Sequence, residues 1–319
     1  MTRLRLTWAV RLGVSTLVLG IVLSVLPVRD VLATIRAIEA RHWVTTLAIF
    51  LIGHVVSAAK WRLLADSGAG FRAALRAHFA GLVANLCLPG IAGGDVMRAA
   101  LLYRHVSDPT RLALGSVADR VIDTVGLLLI AAVGLLFALR FFASGLALLI
   151  WIGIALAAFA AGAAVVVRFH PLLLGRLAAG SSLRRAAEQI GNGGAALLRQ
   201  PGRLVACLAL SIAVQIAFVV ANVELAAAAG VEAPLAAWFF AWPLSKLIAT
   251  LPISVGGIGV REASLAGFLA PFGASPAAVV ATGLLWQSIL LAGGLIGGLI
   301  LLLSDRVLAH GSDRQAGGG

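Results

Sequence analysis

Along this chain, apolar residues run in stretches of about twenty, the length an α-helix needs to cross a hydrocarbon core of roughly 30 Å. Six stretches meet that length, 8–28, 43–64, 116–138, 145–167, 204–228 and 276–303, and each is predicted to be a spanning helix. Two shorter apolar pieces, 78–88 and 235–251, lead into Pro/Gly-rich segments, pass an arginine and become apolar again. Interrupted pieces of this kind are expected to be re-entrant broken helices. The predicted fold class is therefore all-α, a polytopic membrane protein of six spanning helices plus two re-entrant segments.

The two interrupted pieces are related. Leu-Pro-Gly-Ile-Ala-Gly-Gly-Asp-Val-Met-Arg-Ala-Ala-Leu-Leu at 88–102 aligns with Leu-Pro-Ile-Ser-Val-Gly-Gly-Ile-Gly-Val-Arg-Glu-Ala-Ser-Leu at 251–265, and seven of the fifteen positions are identical. The matches include Pro89 with Pro252, Gly93 with Gly256, Gly94 with Gly257 and Arg98 with Arg261, all at an offset of 252 − 89 = 163. The same shift carries 43–64 to 206–227 and 116–138 to 279–301, onto the fifth and sixth predicted spans. Two halves follow, about 8–138 and 145–303, within one membrane domain over 1–310, with 311–319 read as a disordered tail. Three crossings per half is odd, so the second half is expected upside down relative to the first, an inverted-topology repeat.

Composition agrees with this reading. Hydrophobic residues make up 61% of the 319 and charged residues 12%, against a charged share of about 25% in soluble domains. The net charge of +12 comes from 23 arginines, most of them in the loops between apolar segments, and two lysines, Lys60 and Lys246, which fall within the apolar pieces 43–64 and 235–251. That distribution sets orientation in a membrane and gives no support for nucleic-acid binding. Loops placed inside carry Arg3, Arg5, Arg72, Arg76, Arg104, Arg111, Arg168, Arg176, Arg184, Arg185, Arg199, Arg203, Arg306 and Arg314, and those outside carry Arg29, Arg36, Arg41 and Arg140. Fourteen against four places both termini and the connector 168–203 in the cytoplasm of a bacterial inner membrane. The first apolar run is read as a retained span and not a cleaved signal, because charged residues and further spans follow it. Cys87 and Cys207 sit in apolar runs with no metal-ligand or disulfide spacing.

Charges inside or beside the predicted spans are the candidate chemistry, since each costs roughly 2.5–3.5 kcal/mol at a helix centre on insertion scales. Arg98 and Arg261 stand at equivalent places in both copies, four residues after a Gly-Gly that permits close backbone approach or positive φ. A guanidinium beside half-helix N-termini suits a phosphate, and Asp95 and Glu262 are its local counter-ions. The competing reading, in which these pairs only staple broken helices, stays open. Asp119, Arg120 and Asp123 open the third span with the two carboxylates on one face, as a cap or as part of a site. The candidate binding residues are thus Arg98, Arg261, Asp95, Glu262, Asp119 and Arg120, with backbone breaks at Pro89, Gly93, Gly94, Pro252, Gly256, Gly257 and Gly259. Lys60 and Arg62 are expected to snorkel toward headgroups, Trp238, Trp242 and Trp286 to join interfacial belts, and His54 and Gln287 to make contacts between helices. No metal, dinucleotide or Walker A motif is present, so no metal site, no cofactor and no ATP-driven step is expected.

The Gly-Gly-Asp-Val-Met-Arg98 segment, the Asp119-Arg120 pair and the Pro252-Ile-Ser-Val-Gly-Gly-Ile-Gly-Val-Arg-Glu262 segment together resemble the flippase-like lysylphosphatidylglycerol synthetase transmembrane family. The resemblance covers about 10–303 and implies an integral membrane domain associated with lipid translocation. In two-domain members it precedes a cytoplasmic aminoacyl-transferase domain; this chain reads as a stand-alone member, so that activity is not carried over. The leading expectation is a translocase, not an enzyme, whose partners are membrane lipids with an anionic phospholipid or polyprenyl-phosphate type headgroup. The alternatives are a membrane-embedded enzyme or enzyme subunit of lipid modification, and a scaffold that recruits a partner synthase or transferase. Oligomeric state is not fixed by the sequence.

Overall fold

The computed structural model describes residues 28–66, 68–87, 92–103, 106, 109–141, 145–176, 182–251 and 257–316. Among the described residues every regular element is helical. The order is α1 (Val28–Ala37), α2 (Ala40–Ala65), α3 (Phe71–Cys87), α4 (Ala92–Tyr103), α5 (Pro109–Ala138), α6 (Gly145–Arg176), α7 (Ser182–Leu198), α8 (Pro201–Ala228), α9 (Leu235–Thr250), α10 (Val260–Leu269) and α11 (Pro276–Ala316), with short 3₁₀ turns after α5 and α10.

Five helices are long and apolar enough to cross a membrane: α2, α5, α6, α8 and α11. They answer to the second through sixth predicted spans. The first, 8–28, lies outside the described residues apart from Val28, which opens α1. α2, α3, α5 and α8 begin before their apolar runs do, α2 by three residues at Ala40. α5 starts at Pro109 and α8 at Pro201, where proline suits the first helical turn because its missing N–H would have no intrahelical partner. α3 starts at Phe71, seven residues before the predicted 78, because the helix tolerates Arg72 and Arg76 in turns that an apolar window rejects. Helical backbone in α11 continues to Ala316, into the stretch read as a tail.

α3, α4, α9 and α10 have 17, 12, 16 and 10 residues, each below the roughly 20 needed to span. They flank the two copies of the repeated motif. Shifted by 163, α2 becomes 203–228 against α8 at 201–228, and α3 becomes 234–250 against α9 at 235–250. α5 likewise becomes 272–301, inside the range of α11 with its preceding turn.

The packing is reciprocal in the same way. α2 lies on α8, its own counterpart, while α3 packs on α11 and α9 packs on α5, so that the first short helix of each half leans on the last long helix of the other, and α4 and α10 pack mainly within their own halves. Glycine makes both crossings close. A Cβ at Gly134 of α5 would stand 2.5 Å from the carbonyl carbon of Phe239 in α9, and one at Gly297 of α11 would stand 2.8 Å from the carbonyl oxygen of Phe79 in α3. These two glycines are themselves 297 − 134 = 163 residues apart. Small residues at helix crossings let apolar helices approach closely where no hydrophobic drive separates protein from lipid.

The core sits where the halves meet. Phe50 of α2, Phe218 of α8, Trp238 and Trp242 of α9 and Trp286 of α11 are buried together, with Phe50, Phe218 and Trp242 each within 6 Å, ring to ring, of Trp286. The interfacial-belt expectation for Trp238, Trp242 and Trp286 is therefore corrected: they fill the bundle interior. Their mostly apolar neighbours could not distinguish a lipid-facing ring from a core one. α6 is the peripheral span, with Leu146, Ile150, Trp151 and Ile154 exposed along it.

Candidate functional site

The first copy of the motif builds an ionic network. Pro89, together with its neighbours 88–91, lies outside the described residues, and α4 begins just after them. Gly94 in its first turn is pressed against α3: a Cβ there would lie 2.6 Å from the Gly81 carbonyl oxygen, and the Gly94 N–H donates to Asn85 Oδ1 at 2.9 Å. Gly93, beside it, is only partly buried. This close start fixes the face of α4 that bears Asp95 and Arg98, three residues apart.

Arg98, 4% exposed, donates from Nη2 to Asp119 Oδ2 at 2.8 Å, lies 3.1 Å from Asp95 Oδ1 and stands 4.7 Å above the Trp61 ring. Asp119 Oδ1 faces Lys60 Nζ at 3.0 Å. Lys60 also binds Asp123, whose Oδ1 accepts from Ser211 Oγ at 2.5 Å. Arg120 closes the network with a two-pronged pair to Asp95, 2.5 Å from Nε to Oδ2 and 2.9 Å from Nη2 to Oδ1. Three cations, Lys60, Arg98 and Arg120, thus meet three carboxylates, Asp95, Asp119 and Asp123, on helices α2, α4 and α5. The cluster is graded in depth. Lys60, Arg98 and Asp119 are buried, whereas the Asp123, Asp95 and Arg120 side chains are 26%, 20% and 45% exposed.

The second copy is built differently. Pro252 and Gly256 lie outside the described residues. Gly257 and Gly259 have φ of 76° and 81°, left-handed values that glycine adopts without a Cβ penalty, so here the motif adds a turn to close approach, a Cβ at Gly257 standing 2.6 Å from Ala249 Cβ. Gly259 is the N-cap of α10, and its N–H donates to Glu262 Oε2 at 2.7 Å. Glu262, fully buried, accepts two bonds from Arg261 through Oε1, at 2.5 and 3.1 Å. Arg261 also donates to the Gly283 carbonyl and to Gln287 Oε1 on α11, both at 3.2 Å. A Cβ at Gly283 would stand 2.6 Å from Glu262 Cγ, so the pair fits a slot cut by that glycine.

Asp95, Arg98, Asp119 and Arg120 are therefore brought together, and Arg261 with Glu262 forms a second cluster. No hydrogen bond or ion pair joins the two clusters among the described residues. Lys60 corrects its expectation: it is 1% exposed and turns inward to two carboxylates where snorkelling was expected, because α5 places Asp119 and Asp123, one turn apart, directly against it. Arg62, in contrast, is exposed and donates to the Ala69 carbonyl at 2.8 Å.

The bundle also holds polar groups that sequence reasoning did not assign to the site. His54 of α2 and His78 of α3 meet ring nitrogen to ring nitrogen at 3.0 Å. Lys246 of α9 donates to Gln215 Oε1 of α8 at 2.8 Å and stands 5.3 Å above the Phe218 ring. Ser211 and Gln215, four residues apart on α8, present one face to both the Asp123 and the Lys246 side of the interior. That spacing, within the otherwise apolar stretch 204–221, was the available signal.

The fold and the network define a class: a multi-pass integral membrane protein with a charge-balanced polar interior inside its helix bundle. Residues 8–298 match the family described as the lysylphosphatidylglycerol synthase TM region, and the chain belongs to that family. Beyond this family-level match, no curated protein matches it.

Proposed function

We propose that the protein is a lipid translocase that moves a polar or phosphorylated lipid headgroup between leaflets while the lipid tails stay in the bilayer. The observation that carries the reading is the six-residue ionic network on α2, α4 and α5, inside a bundle of membrane-crossing helices. Charged groups at that depth are costly and mark pathways for polar cargo.

In this reading α3–α4 and α9–α10 are re-entrant pairs that enter from opposite faces, the halves form an inverted repeat, and both termini are cytoplasmic at the bacterial inner membrane. Reciprocal packing of α3 and α9 on the opposite halves supports it, as does the family's association with a lipid synthase. Rocking of the halves would open the polar interior to each side in turn, with Asp95 and Arg120 at its wetter edge and Arg261–Glu262 as the opposing wall. The role involves no bond-making step.

The test is exchange of headgroup-labelled phospholipid between leaflets of liposomes holding the purified protein. We expect the protein to speed exchange over empty liposomes, and Arg120→Gln, at a partly exposed position, to slow it at unchanged thermal stability. Equal rates with and without protein would refute the proposal.

A further inference from the structure

Charge is balanced in each cluster separately. Lys60, Arg98 and Arg120 are answered by Asp95, Asp119 and Asp123, and Arg261 is answered by Glu262. Lys246 is not. Its hydrogen-bond partner is the neutral Gln215 amide and its other contact is the Phe218 ring, and no carboxylate pairs with it among the described residues. The nearby Asp123 is already held by Lys60 and Ser211. Gln215, which holds it, stands four residues along α8 from Ser211, the partner of Asp123, so Lys246 shares a helix face with the edge of the first cluster. It keeps partial exposure while Trp242, Pro243 and Ser245 around it on α9 are buried.

An ammonium in a membrane interior without a counter-charge is costly, and an anion that enters with its own negative charge removes that cost. We infer that Lys246 is the group that receives the phosphate of a lipid headgroup, and that the site selects lipids carrying a net negative charge over those whose headgroup amine cancels the phosphate. Arg98 and Arg261, each already ion-paired with a carboxylate, hold α4 and α10 in place. Gln215 holds the ammonium ready, and the carboxylates of both clusters are spoken for, so the incoming phosphate meets one uncompensated cation. The inference rests on the lipid-handling reading above, and it concerns binding, which is measured apart from transport.

The experiment is binding of short-chain phosphatidylglycerol and short-chain phosphatidylcholine to the full chain in detergent, by the shift in thermal unfolding and by calorimetry. Inorganic phosphate serves as a competitor. The expected result is preference for phosphatidylglycerol, lost by about tenfold or more in Lys246→Gln, the scale of one charged hydrogen bond. Lys246→Arg retains the preference. Unliganded Lys246→Gln should elute and unfold as the parent does.

Equal affinity for the two lipids in the parent, or an undiminished preference in Lys246→Gln, overturns the inference. Competition by phosphate at concentrations matching the lipid would overturn the lipid as ligand and leave free phosphate in its place. Anionic binding that depends on Lys246, in a protein that fails to speed leaflet exchange, would refute the transport reading and leave the site standing.

Discussion

Both carboxylate oxygens of Asp119 are taken by cations from other helices, Oδ2 by Arg98 on α4 and Oδ1 by Lys60 on α2. Removing its charge leaves two buried cations sharing what remains of Asp95 and Asp123. Breaking a buried pair from one side costs on the order of 3 kcal/mol, much of it the stranded charge. Asp119→Asn is therefore expected to lower the thermal unfolding midpoint sharply, and adding Arg98→Met to restore part of the loss, because three-against-three becomes two-against-two. A double variant no more stable than the sum of its single losses would contradict this account. The sequence made Asp119 and Asp123 visible as one face of a helix. It did not show that Lys60 would be the cation to meet them, since an arginine or lysine near the end of a span reads the same whether it turns to headgroups or inward. Lys246 was legible only as a charge in the wrong place, and its lack of a counter-ion becomes apparent only once α8 and α9 are packed together.

At the scale of elements, the glycines tell the two copies of the motif apart. Gly94 serves close approach to Gly81 of α3, whereas Gly257 and Gly259 serve positive φ before α10. Gly94→Ala is expected to destabilise by overpacking, about 1–3 kcal/mol, and Gly259→Ala by backbone strain of about 1–2 kcal/mol. The crossing glycines carry the halves' mutual grip: Gly134→Val and Gly297→Val should each destabilise the folded protein in detergent. A stable Gly134→Val variant would mean that α5 and α9 do not cross as described. Apolar run length located α2, α5, α6, α8 and α11, because lipid imposes that length. It missed the starts of α2, α3, α5 and α8, because polar first turns belong to the helix without belonging to the apolar run. Periodicity also failed to tell Trp238 and Trp242 from lipid-facing residues, since both surroundings are apolar.

For the whole molecule, the repeat at 163 residues and the packing of α3 and α9 on the opposite halves together describe a protein with two related halves around a polar interior. In a background with Cys87 and Cys207 replaced, a membrane-impermeant maleimide should label Arg140→Cys in intact cells and Ser182→Cys only after permeabilisation. The reverse pattern would invert the orientation. The central claim, that a lipid headgroup occupies the interior between the two clusters, is tested most directly by a structure in lipid nanodiscs containing phosphatidylglycerol. The account predicts headgroup phosphate inside the bundle, contacting Lys246 on α9 or Arg120 on α5; phosphates found only around the outer perimeter, with the interior closed by the same ion pairs in every particle class, would contradict it.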